Sequence, residues 1–306
     1  MAASETQANV EAAAPEARCA ASAPTTLVPA AAIPREITGR VGLYVARLSS
    51  EPGFNPVAAV ALRPDETFPI ASVFKQAILL ELLRQHGQGA LHLGERFPVT
   101  AANQSLGDYP YDRSTAIDLA RRMIQSSDNT ATDILFRRVG LDALQRRADD
   151  LALCRTRLAL PTKAWWAAQA GLSPDFPPDA LVSSTERFAK ATPEDRLAIA
   201  QRLDSVAQQV GPERLRLRLE KGYFSGKNGP PETMSLIDRN LQNASTPEEW
   251  ARFMAHEFTD NGLSPADNRT FRDVMALGYG RRRIQVPFSY FGGKEGNTAH
   301  VLALSG

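Results

Sequence analysis

Apolar residues alternate near the start of this chain, recur on a helical period through its middle, and return to strand composition at its end. That order restricts the chain to folds in which strands and a long run of helices share one core. GRVGLYVAR sets Val41, Leu43 and Val45 on one face, and PVAAVAL at 56–62 follows across a turn with Gly, Pro and Asn, so the first ordered unit reads as a hairpin. Phe68-Pro69 then leads into SVFKQAILLELLRQH, where Ile78, Leu79, Leu82 and Leu83 predict a buried helix with Ser72 in its first turn. STAIDLARRMIQ, SDNTATDILFRRVG with Gly140 as a stop, and LDALQRRADDL continue the helical pattern. Thr192-Pro193-Glu194-Asp195 and Thr246-Pro247-Glu248-Glu249 each offer a capping Thr followed by Pro at the first helical position. FSYFGGKEG and AHVLALSG read as a closing hairpin.

With 306 residues and 43% hydrophobic content the chain can bury a full core, as one large domain or two lobes. Residues 1–36 are rich in Ala, Pro and small polar residues without an apolar period and read as a disordered tail. A net charge of +1 argues against nucleic-acid binding, which needs a clearly basic face, and Arg281-Arg282-Arg283 reads as a solvated loop. Small molecules are therefore the expected partners. Cys19 and Cys154 have no spacing that argues for a disulfide. No apolar run approaches the roughly 18 residues of a membrane span, and the first thirty residues lack the basic start and apolar run of a signal peptide. His86, His92, His256 and His300 have no metal spacing, and Gly292-Gly293 opens no helix as a phosphate loop would, so neither a metal nor another cofactor is expected.

Three short clusters carry the chemistry: Ser72-Val73-Phe74-Lys75, Ser127-Asp128-Asn129 and Lys294-Glu295-Gly296. A serine hydroxyl is a weak nucleophile until a base lies within hydrogen-bond reach, and Lys75, three residues on, shares a helix face with Ser72. A helix N-terminus also offers a backbone N–H and a favourable dipole to a developing oxyanion. Ser and Lys at this spacing are common, and Ser, Asp and Asn are ordinary N-cap residues, so no cluster is specific alone. Their combination matches the set SxxK, SDN and a Lys-Thr-Gly strand, with Glu295 in place of the threonine.

On these residues, chiefly FPIASVFKQAILLELL, IQSSDNTATDILFRRVG and FGGKEGNTAHVLAL, most of 39–306 resembles the class A β-lactamases of the β-lactamase and penicillin-binding protein superfamily. The resemblance implies an α/β (α+β) fold with two lobes, an antiparallel sheet flanked by helices plus an all-helical lobe. The catalytic domain would span 37–306, with the α/β lobe drawn from 39–68 and about 250–306 and the helical lobe from about 69–249. It implies an acyl-enzyme on Ser72, Lys75 as base or proton shuttle, and Ser127 as donor to the leaving nitrogen. Asn129 would hold the substrate amide, and Lys294 would support Ser127 and attract an anionic substrate. Gly296 and Asn297 would complete the binding strand, with the N–H groups of Ser72 and Asn297 as the oxyanion hole. A periplasmic or secreted location is implied in the same way.

The chain departs from the family pattern in three places. Where β-lactamases carry the glutamate that activates the deacylating water, this sequence reads LPTKAWWAAQAG, with no acid, and Asp175, Asp179 and Glu186 lie beyond it in a Pro-rich segment or past it. Trp165 and Trp166 read as packing residues or as part of the site's rim. Glu295 stands where a hydroxyl normally helps bind the substrate carboxylate, and it is an anion that only accepts, leaving Asn297 and Thr298 to supply a donor. The resemblance also implies a further strand and a C-terminal helix that are missing here, with unpaired backbone on the neighbouring strands. Two readings follow: a serine hydrolase acting on a β-lactam, a cell-wall peptide or another amide or ester, and a slow-turnover penicillin-binding or sensor protein.

Overall fold

The two alternating segments at the start form Leu43–Leu48 (β2) and Pro56–Leu62 (β3), antiparallel with Val45 opposite Val60, and Thr26–Val28 (β1) adds a parallel edge strand to β3. This is the arrangement in a computed structural model that describes residues 26–28, 30, 32–51, 53–107, 111–223, 225, 231–278 and 289–306. β1 falls inside the segment read as a tail, and its edge position agrees with the proline-rich sequence around it. The alternation in β2 holds, but the face bearing Leu43 and Val45 is the open one, at 38% and 58% exposure. Arg281-Arg282-Arg283 and Cys19 lie outside the described residues, and Cys154 is disulfide-bonded.

Phe68–Pro69 (β4) pairs with Ala244–Ser245 (β7), and Arg96–Phe97 (β5) with Ser114–Thr115 (β6). Lys294–Asn297 (β8) and Leu302–Ser305 (β9) make the closing hairpin, with Lys294 opposite Ser305. Among the described residues these pairs and the β1-β3-β2 sheet share no ladder hydrogen bonds.

Eleven α-helices lie among the described residues. Lys75–Gly87 (α1) is the centre of the first core: Ile78, Leu79, Leu82 and Leu83 are wholly buried, and the opposite side of the helix, from Gln76 to Leu80, is buried as well. A helix apolar on nearly every side must be enclosed, and Ala116–Gln125 (α2), Asn129–Val139 (α3), Ala143–Asp150 (α4) and Pro265–Met275 (α11) pack against α1. Thr162–Gln169 (α5), Leu181–Lys190 (α6), Pro193–Gln208 (α7), Pro212–Lys221 (α8) and Pro231–Leu241 (α9) gather around a second core that includes Phe176, Phe188, Leu203, Leu219 and Ile237. The caps read from sequence form: Thr192 accepts from Asp195 N at the head of α7, and Thr246 from Glu249 N at the head of Pro247–Thr259 (α10).

Buried polar groups tie the two cores together. Arg137 on α3 grips both oxygens of Asp204 on α7 at 2.7–3.1 Å. Asp133, also on α3, accepts from the backbone N–H of Thr162 and Lys163 at 2.6 and 2.7 Å, capping α5, and burial raises its carboxyl to about 6. Lys163 Nζ donates to the carbonyls of Ala101 and Ala102.

Glu257 on α10 is wholly buried with neither carboxyl oxygen hydrogen-bonded, and burial pushes its carboxyl well above the usual range. A group raised in the folded state destabilises increasingly as pH climbs from its unfolded value toward the folded one. Glu257→Gln is therefore expected to raise Tm by about 2–4 °C at pH 8 and by less at pH 5. Thermal melts at the two pH values check this, and an equal gain at both would contradict it.

Candidate active site

Ser72 lies in a single 3-10 turn, Ala71–Phe74, that feeds directly into α1. The turn is anchored by buried Val73 and Phe74 and by Val73 N–H donating to Ile70 O at 2.9 Å. Ala71, immediately before the serine, has φ 42°, a left-handed conformation that a side chain adopts only under constraint. The sequence placed Ser72 in the first turn of the helix; the α-helix proper begins at Lys75.

Lys75 is wholly buried and its ammonium has three donors to satisfy. Nζ donates to Ser127 O at 2.7 Å, Asn129 Oδ1 at 2.9 Å and Ser127 Oγ at 3.1 Å. All three acceptors come from the second cluster, and no hydrogen bond joins Lys75 to Ser72 in this arrangement. The cluster is held by its middle residue: Asp128 caps α3 by accepting from Ala131 N at 3.0 Å, and its other oxygen takes the Tyr111 hydroxyl at 2.7 Å. Ser127 is bent to φ 55°, which turns both its carbonyl and its hydroxyl toward Lys75. Burial, then repulsion from Lys294, holds the Lys75 amine well below the usual lysine range, and Asp133 and Asp128 oppose that shift.

Lys294 is 1% exposed, and burial lowers its amine to about 8. Its Nζ donates to the backbone oxygen of Glu295 at 2.7 Å, and no hydrogen bond to Ser127 is formed. Glu295 is half-buried and faces Lys294 electrostatically. Gly296 shows why this position has no side chain: a Cβ there would sit 2.4 Å from Ser72 N and 2.9 Å from Ile70 O. Strand β8 thus lies directly against the turn that carries Ser72.

A cavity of about 200 Å³ opens on Ser72. Asn129, Asn297 and Thr298 line it on the side of the predicted residues, and Thr162, Trp165, Trp166, Gln169, Tyr223 and Gln242 are among the other polar and aromatic residues of its wall. Among the described residues no carboxylate lines it. The acid-free stretch has become helix α5; Asp175 pairs with Arg202, and neither Asp179 nor Glu186 reaches the cavity. Trp165 and Trp166 stack edge to face, with ring centroids 5.6 Å apart. Gln169, Tyr223 and Gln242 were not singled out from the sequence, because they reach the site only through packing of the second core. Among the described residues no group of three or more His, Cys, Asp or Glu could hold a metal ion, and no helix is long and apolar enough to cross a membrane.

The sequence profile of the Beta-lactamase enzyme family matches residues 30–302. Beta-lactamase L2 of Stenotrophomonas maltophilia is 35% identical over 134 residues, which are 40% of this chain and 42% of that protein. The chain thus spans less than half the length of the curated relative it matches. A β-lactamase from Sphaerobacter thermophilus superposes with TM-score 0.55 at 20% identity, over 88% of this chain and 78% of its own. The reconstructed class A β-lactamase of the last common ancestor of Gram-negative bacteria gives 0.53 at 20% identity, over 87% and 77%. These two structures share the fold.

Gly296→Ala is expected to slow labelling of Ser72 by a fluorophosphonate about 100-fold, the scale of a lost oxyanion donor. Intact-protein mass spectrometry reads the rate, and labelling within threefold of wild type would show that β8 tolerates a side chain beside Ser72.

Proposed function

The chain belongs to the Beta-lactamase enzyme family, and we propose that it is a serine hydrolase that forms an acyl-enzyme on Ser72, with a β-lactam as the acyl donor. The observation that supports this reading most directly is a buried Lys75 amine, depressed by desolvation, joined to Ser127 and Asn129 beside the Ser72 cavity. A neutral amine can accept a proton near neutral pH, which an exposed lysine cannot.

In the proposed sequence Ser72 Oγ attacks the carbonyl carbon as its proton passes to Lys75. The oxyanion rests on the N–H groups of Ser72 and Asn297, and Asn129 holds the substrate amide. Lys75 returns the proton through Ser127 Oγ, 3.1 Å away, to the leaving nitrogen as the C–N bond breaks. Lys294 attracts the anionic end of the substrate, a role that lasts while its amine is charged. Water then cleaves the ester.

A second reading, a penicillin-binding or sensor protein with slow release, is favoured by one observation: among the described residues no carboxylate lines the cavity to activate that water.

A chromogenic cephalosporin reads turnover and a fluorescent penicillin reads the adduct. Ser72→Ala is expected to abolish both signals; survival of either in that variant would remove Ser72 from the chemistry. Acylation should rise with pH as Lys75 deprotonates, then fall above about pH 8 as Lys294 loses its charge. Lys294→Gln should lower the rate and remove the alkaline fall, and a pH–rate profile that keeps this fall in the variant would rule out Lys294 as its source.

A further inference from the structure

One wholly buried polar side chain on α1 has no part in the proposed chemistry. Gln76 follows Lys75 directly, has no exposed surface, and shares its helix with buried Ile78, Leu79, Leu80, Leu82 and Leu83. A buried amide is costly unless its atoms are matched, and Gln76 is matched from two other elements. Its Oε1 accepts from Trp250 Nε1 of α10 at 3.3 Å and from the Ser305 hydroxyl of β9, and its Nε2 donates to Met254 Sδ of α10 at 3.1 Å.

Ser305 connects this amide to the site. It stands directly opposite Lys294 in the β8–β9 ladder, and Ala303 stands opposite Gly296. Directly opposite residues of an antiparallel pair share a face, so Lys294, Gly296, Ala303 and Ser305 form the inner face of the hairpin, and Glu295, Asn297, Leu302 and Leu304 the outer one. Burial agrees: Lys294 and Gly296 are buried, while Leu302 and Leu304 are 84% and 53% exposed.

The hydrophobic effect works against this register, because it leaves two leucines in water and turns Ala303 and Ser305 toward the core. A one-residue slip of β9 along β8 would exchange the faces and bury leucine. Among the described residues the hairpin shares no ladder with another sheet, and an isolated two-stranded hairpin is marginal. Its side-chain hydrogen bonds to other described elements are two: Thr298 Oγ1 to Asp238 of α9 at 3.4 Å, beside the turn, and Ser305 Oγ to Gln76, at the base. A slipped β9 would place Leu304 or Gly306 opposite Lys294, and neither has a side-chain donor for the Gln76 carbonyl.

We propose that Gln76 is a positioning residue: through Ser305 it fixes the register of β8–β9, and so seats Lys294 and Gly296 beside Ser72. The kinetic consequence rests on the acylation of Ser72 proposed above, and the structural consequence rests on the fold alone.

Two readouts on the full chain test it: fluorophosphonate labelling of Ser72 by intact-protein mass spectrometry, and hydrogen exchange of peptides spanning residues 294–305. Gln76→Leu nearly keeps the side-chain volume and removes both hydrogen-bonding atoms. It should slow labelling about 100-fold, the scale of a misplacement of about 1 Å. Exchange across 294–305 should quicken at least about tenfold as the ladder opens between registers. Adding Leu302→Ser and Leu304→Ser removes the pull toward the slipped register. Both readouts should then return to within about threefold of wild type, a repair from the exposed face that a general packing defect at Gln76 would not show. In the wild-type background the two serines should change either readout by less than about threefold, as exposed substitutions do. Ser305→Ala, which leaves Gln76 bonded to Trp250 and Met254, should give the same losses and the same repair if Gln76→Leu does not fold. Labelling or exchange within threefold of wild type in Gln76→Leu, or a loss that the serine pair does not repair, would overturn the proposal. If wild-type Ser72 takes no label, the acyl-enzyme reading falls and the exchange pattern still decides this one.

Discussion

A lysine with no exposed surface governs the arrangement of this molecule. Lys75 cannot be buried without partners, and the three it has all belong to Ser127 and Asn129. Meeting that requirement fixes the start of α1 against the start of α3. It forces Ser127 into a left-handed conformation, and Asp128 has to anchor the bend through Ala131 N and Tyr111. A second buried amine, Lys294, approaches from β8, and the repulsion between the two ammonium groups adds to desolvation in lowering Lys75. Strand β8 reaches that position only because Gly296 has no Cβ to strike Ser72 N. The three clusters are therefore one mechanical unit, in which each explains the residue type at another.

The parts of this unit that rest on local rules were legible in the sequence. Thr246 followed by Pro247 predicted a capped helix, Gly140 predicted a stop, and two alternating segments predicted the β2–β3 hairpin. The three clusters were legible because each places chemistry-bearing residues within four positions. What could not be read depends on packing between distant segments. Alternation in β2 was plain, but alternation does not say which face meets the core, and Leu43 and Val45 face outward. Gln169, Tyr223 and Asp238 are far apart in the chain, with no shared spacing, and only the second core brings them to one point. The lack of an acid in LPTKAWWAAQAG was visible, while its replacement by a helix capped from Asp133 was not, because that cap comes from thirty residues away.

The two buried carboxylates whose partners line the cavity have already committed their oxygens. Asp133 gives one oxygen to Thr162 N and the other to Lys163 N, and Asp238 divides its pair among Tyr223, Gln169 and Thr298. A general base needs a lone pair aimed at the attacking water, within about 3 Å or through one further water. Neither Asp133 nor Asp238 lines the cavity, so neither aims a lone pair at a water held there. Both carboxylates are part of the scaffold around Ser72. The same hydrogen bonds that seat α5 and the far wall against the turn of Ser72 thus account for why both carboxylates are buried: each holds together segments that are distant in the chain.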